Sequence, residues 1–144
     1  MIHPGEVDRD IFVIDNTVDF VNIDPTLPVI YVLNSDIDLS SVDLTGSWLD
    51  NHSYGEFRTI YLDGKNFTIS NYDYKYSGND FFRTGLLPPL LNSSIVNINF
   101  ENINIQVDYY GSNGGFIGTL SHFLNRGTSL KNVSISGQID FNAR

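Results

Sequence analysis

The sequence predicts an all-β chain: a short solenoid of about three to four stacked coils, with at most one short N-terminal helical turn. Three observations predict it. An asparagine followed by strict apolar/polar alternation occurs three times, as Asn66-Phe67-Thr68-Ile69-Ser70, Asn97-Ile98-Asn99-Phe100-Glu101 and Asn132-Val133-Ser134-Ile135-Ser136. The copies begin 31 and 35 residues apart, a spacing typical of repeated supersecondary units. Gly, Pro and Asn interrupt the chain so often, among so many β-branched residues, that no helix of ordinary length fits.

Period-two alternation gives a strand one buried face. A single coil cannot bury that face alone, so a neighbouring coil has to close over it. With parallel strands about 4.8 Å apart, equivalent side chains stack into columns. Phe67, Ile98 and Val133 are expected to form one column, and Ile69, Phe100 and Ile135 a second. Burying each such side chain contributes about 1.5–3 kcal/mol. Asn66, Asn97 and Asn132 precede the strands and are expected at bends, where left-handed backbone and amide ladders both favour Asn. The second copy continues as Ile103 and Ile105, the third as Gly137, Ile139 and Phe141, which is one residue out of step. A bulge at Gly137 would absorb the offset.

The elements follow in order. Residues 1–10 read as a polar arm with Pro4 and Gly5, and Ile11–Ile14 as a first strand. Asp15-Asn16-Thr17 caps one helical turn over residues 18–23. Asp24–Pro28 is a turn, since proline fixes φ and turns its predecessor away from helix. Val29–Leu33 is the strongest strand signal, and alternation resumes at Ile37 and Leu39. Residues 40–56 form a polar loop around Trp48. Phe57–Leu62 is a strand, and the following Asp63-Gly64 is read as a solenoid corner rather than a hairpin. Residues 71–83 are expected to be a Tyr-rich excursion, and Pro88-Pro89 bars residues 85–91 from a central strand. Strands are expected again at 95–107, 116–120 and 129–141, with a Gly-rich loop at 108–115. The organisation is thus an arm and cap region over 1–28 and coils over 29–144, expected to be part of a longer solenoid because no polar cap follows Phe141.

Composition narrows the partners. The net charge is −9 and the eight basic residues form no cluster, which disfavours nucleic acid and anionic membrane surfaces. No apolar run approaches the roughly 20 residues that span a bilayer, so no membrane insertion is expected. With no cysteine, disulfides and thiolate metal sites are excluded. The N-terminus lacks the basic and apolar regions of a secretory signal.

Tyr31–Ser40, Phe57–Asn71, Ser94–Ile105, Gly114–Gly118 and Ser129–Ile139, taken in order, resemble GLUG-type bacterial surface and adhesin repeats. Tyr31–Ser40 is similar to that family's "YxLxxDIDLS", Phe57–Asn71 to "FxGtfDGnGHtIsNl" and Ser94–Ile105 to "aTIkNLtlxNvnI". Gly114–Gly118 resembles "GGlvG", and Ser129–Ile139 resembles "GtIsNcsVsGtI". The resemblance implies a right-handed parallel β-helix in an adhesive or structural role. It also implies an extracellular or cell-surface location, with a virion exterior as the related alternative. Its partners would be neighbouring subunits, through coil ends or flanks, or surface glycans. The family carries no catalytic residues to transfer.

Binding candidates come from the aromatic residues between the coils: Tyr72, Tyr74, Tyr76, Phe81, Phe82, Tyr109 and Tyr110. On a solenoid flank such rings can stack on sugars or anchor a protein; folded inward, they would simply cover the core. Asp36 and Asp38 share one strand face near Asp43, an arrangement open to Ca²⁺. The further oxygen ligands of a calcium loop are missing, so the three are read as a solvated face and no cofactor is expected. His3, His52 and His122 have no ligand spacing. The competing function is a polysaccharide lyase or glycoside hydrolase on the same scaffold, drawing on Asp63, Asp73, Asp80 and Arg83.

Overall fold

A computed structural model describes residues 10–50, 58–80, 82–112, 114–121, 124 and 127–143, with the backbone alone for residues 82 and 83. Along the chain come β1 (Asp10–Ile14), α1 (Thr17–Val21), β2 (Val29–Leu33), β3 (Ile37–Asp38) and β4 (Tyr61–Asp63). They are followed by β5 (Thr68–Gly78), β6 (Phe82–Thr84), β7 (Ser94–Tyr109), β8 (Gly115–Ile117) and β9 (Ser129–Ala143). Every pairing among these strands is parallel. They wind into a β-solenoid of about three turns with one short helix. Because each strand meets its equivalent one coil later, the alternation read in the sequence becomes vertical columns.

One column runs through β1, β2, β4 and the first residues of β7 and β9, with Phe12, Tyr31, Leu62, Ile95 and Leu130 in register. A second joins Ile37, Ile69, Phe100 and Ile135 across β3, β5, β7 and β9. Ile98 pairs with Val133, and the Asn99 N–H donates to the Phe67 carbonyl at 3.2 Å. The two expected columns are therefore present, and the second extends one coil further, to Ile37. On the remaining flank, Leu90 bridges Arg58 on one side and Leu124 on the other, and β6 pairs with β8. Pro88-Pro89 breaks the strand there without breaking the stack: the Pro89 carbonyl still accepts from the Arg58 N–H at 2.8 Å.

The corners are built as expected. Asn66, Asn97 and Asn132 have φ of 68°, 56° and 55°, the left-handed region that Asn tolerates better than other side chains. Asp63-Gly64 is a corner, since β4 and β5 lie in different columns and both pair parallel with β7. Gly64 is needed there because a Cβ would lie 2.5 Å from the Cβ of Ile98.

Residues 71–78 differ from the expected excursion. They continue β5, with Tyr72, Tyr74 and Tyr76 opposite Ile103, Ile105 and Val107. The reason is the period of two in Tyr-Asp-Tyr-Lys-Tyr, which places all three rings on the inner face. The stack also begins before residue 29, because β1 pairs with β2 along its whole length.

The β3 end of the stack is covered by α1. Asn16 caps the helix by accepting from the Asp19 N–H at 2.9 Å, and the Thr17 hydroxyl donates to the Asp38 carbonyl. Phe20 is fully buried, edge-on to Trp48 at 5.6 Å, and the Trp48 indole N–H donates to the Phe20 carbonyl at 2.9 Å. The loop around Trp48 thus closes over the helix and shields Ile37 and Leu39 from water.

Candidate functional site

The outer corners carry ladders of side-chain amides. In one, Asn132 donates to Asn97 at 2.9 Å and Asn97 to Asp63 at 3.4 Å, with Lys65 paired to Asp63 at 3.4 Å. In the other, Asn102 donates to Asn71 at 2.9 Å, and Asn71 to Asp38 at 3.0 Å. Asn71 and Asn102 also have positive φ, 65° and 56°. The spacing carried a signal for this second ladder, because each Asn lies five residues after a phrase-opening Asn. Each ladder ends on a carboxylate at its N-terminal side, so the coils are tied together by polar bonds outside and apolar contacts inside.

The acidic candidates act as acceptors in this framework. Asp36 accepts from the Thr68 N–H, Asp43 from the Thr45 N–H, and Asp38 from both Asn71 and the Ser40 N–H. These bonds hold the Asp38 and Asp43 carboxyls below the usual range, with the Asn71 amide the main cause for Asp38 and the Thr45 turn for Asp43. Among the described residues no group of three or more His, Cys, Asp or Glu is placed to hold a metal. His3, His52 and His122 lie outside the described residues.

The aromatic candidates separate by burial. Tyr72 and Tyr109 are core residues rather than exposed platforms, because their positions fall on the inner side of β5 and β7. Burial pushes the Tyr72 phenol well above its ordinary value. The Tyr109 hydroxyl accepts from the Gly114 N–H at 2.7 Å. Tyr74 and Tyr76 are half-buried against the core, and the Tyr76 hydroxyl bonds both the N–H and the carbonyl of Asp80. Tyr110 is exposed at 52%. Phe81 lies outside the described residues, and for Phe82 only the backbone pairing with Gly115 is described.

Concave surfaces flank β9. A groove of about 440 Å³ is lined by Tyr74 and Ile105 together with Asp73, Lys75, Asn104, Gln106, Gln138 and Asp140. Within it Asn104 donates to Asp73 at 3.2 Å and Gln138 to Asp140 at 2.9 Å. A second hollow of about 530 Å³ lies between Tyr109, Ile117 and Phe141. Of the enzyme candidates, Asp73 lines this groove, whereas Asp63 is buried in its ladder and Asp80 is exposed in the bend after β5. The Arg83 side chain lies outside the description.

The largest departure from a closed core is β9 itself. Its inward-facing Leu130, Ile135, Ile139 and Phe141 are 40%, 39%, 42% and 50% exposed, while their partners Ile95, Phe100, Ile105 and Val107 are at most 1% exposed. The sequence marks these side chains as interior, and among the described residues no coil covers them. No family model, curated protein or solved structure matches the chain.

Proposed function

We propose that this chain is a non-enzymatic structural or adhesive module of a surface assembly, extracellular or on a virion, and that it engages neighbouring subunits through β9. One observation carries the reading: a strand of core composition presents its apolar side and its backbone edge to water. Soluble proteins usually blunt a long edge strand with charges, prolines or a covering segment. β9 runs for 15 residues with Lys131 and Asp140 as its only charges and no proline. The family resemblance supports the same role and the same location. Light scattering across a concentration series tests it, with association expected for the wild type and lost in an Ile135→Lys, Ile139→Lys double variant. A wild-type chain that stays monomeric throughout overturns the reading.

The polysaccharide-cleaving alternative draws on Asp73 and Asp140, which line one groove with several amides. Asp63 does not join them, because it is buried and already bonded to Lys65 and Asn97. The groove suits a glycan contact of the adhesive kind as well as a cleavage site. Incubation with acidic and neutral polysaccharides separates the two: new reducing or unsaturated ends would favour the enzyme.

A further inference from the structure

We infer that the outer flank of β5, β7 and β9 is a binding site for a neutral, hydroxyl-rich polysaccharide laid along the strands. The inference rests on the adhesive reading above and names its ligand; it does not depend on association through β9.

The groove of about 440 Å³ is the middle of a longer trough. It shares Asn104 and Gln138 with a hollow of about 450 Å³ on one side, and Gln106 and Asp140 with one of about 290 Å³ on the other. Together they follow β9 from Ser136 to Asn142, which is roughly 20 Å of extended chain. The trough lies on the side of the coils and not on the end of the stack. A further coil laid against β9 would continue this flank rather than fill it.

Register arranges the lining as two rungs. Asp73, Asn104 and Gln138 are partners across the three strands, and so are Lys75, Gln106 and Asp140. In the first rung, bonds within the protein use up the amide donors. Asn104 donates to Asp73 at 3.2 Å and to Asn102 at 2.7 Å, and Gln138 donates to both carboxylate oxygens of Asp140 at 2.9 and 3.0 Å. The amide oxygens of Asn104 and Gln138 are thereby left as acceptors, held in place before any ligand arrives. In the second rung Lys75 and Gln106 are exposed, and their side chains bond to nothing among the described residues, so they are left as donors. Tyr74 and Ile105 line the groove between the rungs.

Acceptors therefore sit beside donors, two residues or roughly 7 Å apart along each strand. A hydroxyl group both donates and accepts, so a chain of sugar rings matches this pattern, with Tyr74 and Ile105 offering apolar contact to the C–H faces of the rings. Prefixed acceptors also lower the ordering cost of binding. Charge selects among glycans. Asp73, Glu101 and Asp140 against Lys75 leave the trough negative, within a chain of net charge −9, and an acidic polysaccharide is repelled. An extended peptide fits less well, because β7 is already paired on both sides, with β5 and with β9, and offers it no strand edge.

Affinity gel electrophoresis tests the site, with dextran, laminarin, mannan and hydroxyethyl cellulose as neutral polymers and alginate and polygalacturonate as acidic ones. The wild type is compared with a Lys75→Ala, Gln106→Ala double variant, shown by circular dichroism to retain the fold. At least one neutral polymer is expected to retard the wild type, without release of reducing ends. The double variant is expected to need about tenfold more polymer for the same retardation. Retardation by no neutral polymer, stronger retardation by an acidic one, or equal retardation of the two proteins overturns the glycan site and leaves the light-scattering test of association untouched. Release of reducing ends from a retarding polymer keeps the site and overturns the non-enzymatic reading instead.

Discussion

Gly137 packs directly on the backbone of Ile103. The two are register partners, and a Cβ on Gly137 would overlap the Ile103 carbonyl oxygen and lie 2.7 Å from its amide nitrogen. The close approach follows from the missing corner: β7 spends an extra residue on Asn102 between Phe100 and Ile103, and β9 crosses the same interval with Ser136 alone. Only a residue without a side chain lets β9 regain register there. Gly137→Ala is therefore expected to destabilise the fold by about 1–3 kcal/mol. In hydrogen exchange, protection is expected to fall in residues 137–143 and to persist in residues 94–109. Unchanged protection after residue 137 would show that the close approach does not fix the register.

The Asn71–Asp38 rung makes a prediction about acid. Asn71 is the main cause of the depressed Asp38 carboxyl, with Ser40 second. A carboxyl depressed in the folded state stabilises the fold at pH values above its unfolded pKa. That contribution is lost as pH falls through the folded pKa, so it disappears below about pH 4. Asn71→Gly keeps the positive φ and removes the amide. In an NMR titration Asp38 is then expected to move up toward 3.8, its ordinary value. Asp43, held by its own Thr45 turn, should stay where it is and serves as the internal control. An Asp38 titration identical in the two proteins would mean that the rung does not hold the charge.

The repeat phrases made the columns, the Asn bends and the Gly137 offset legible, because each depends only on alternation and on one residue's backbone tolerance. Tyr72, Tyr74 and Tyr76 were harder to place. Alternating Tyr with Asp and Lys fits either an exposed aromatic strip or a half-buried strand, and the choice depends on whether Ile103, Ile105 and Val107 arrive opposite. That pairing spans 31 residues and is invisible locally. The Trp48 lid was illegible for a similar reason: its loop is polar apart from a few residues, and its role comes from a contact with a helix 28 residues earlier. The exposure of β9 was legible only in the missing polar cap after Phe141, since the phrase at 132–136 has the same composition as the buried phrases before it.

The cap on the β3 end rests on Phe20. Its ring is buried in the same core cluster as Ile14, Ile37 and Leu39, edge-on to Trp48, and its carbonyl receives the Trp48 indole N–H. Removing the ring leaves a cavity at the end of the stack, where α1 has few other apolar anchors. Phe20→Ala is expected to cost about 3–5 kcal/mol. Trp48→Phe keeps most of the ring packing but removes one of the donors to the Phe20 carbonyl, which still accepts from the Ile23 N–H at 3.3 Å, for a loss of about 1 kcal/mol. Urea melts supply the two values, and hydrogen exchange supplies the location. Opening should begin at β1 and β3 and spare the central strand β7, because each coil is held mainly by its neighbours. A Phe20→Ala protein that melts like the wild type would mean that the Trp48 loop closes this end without the helix.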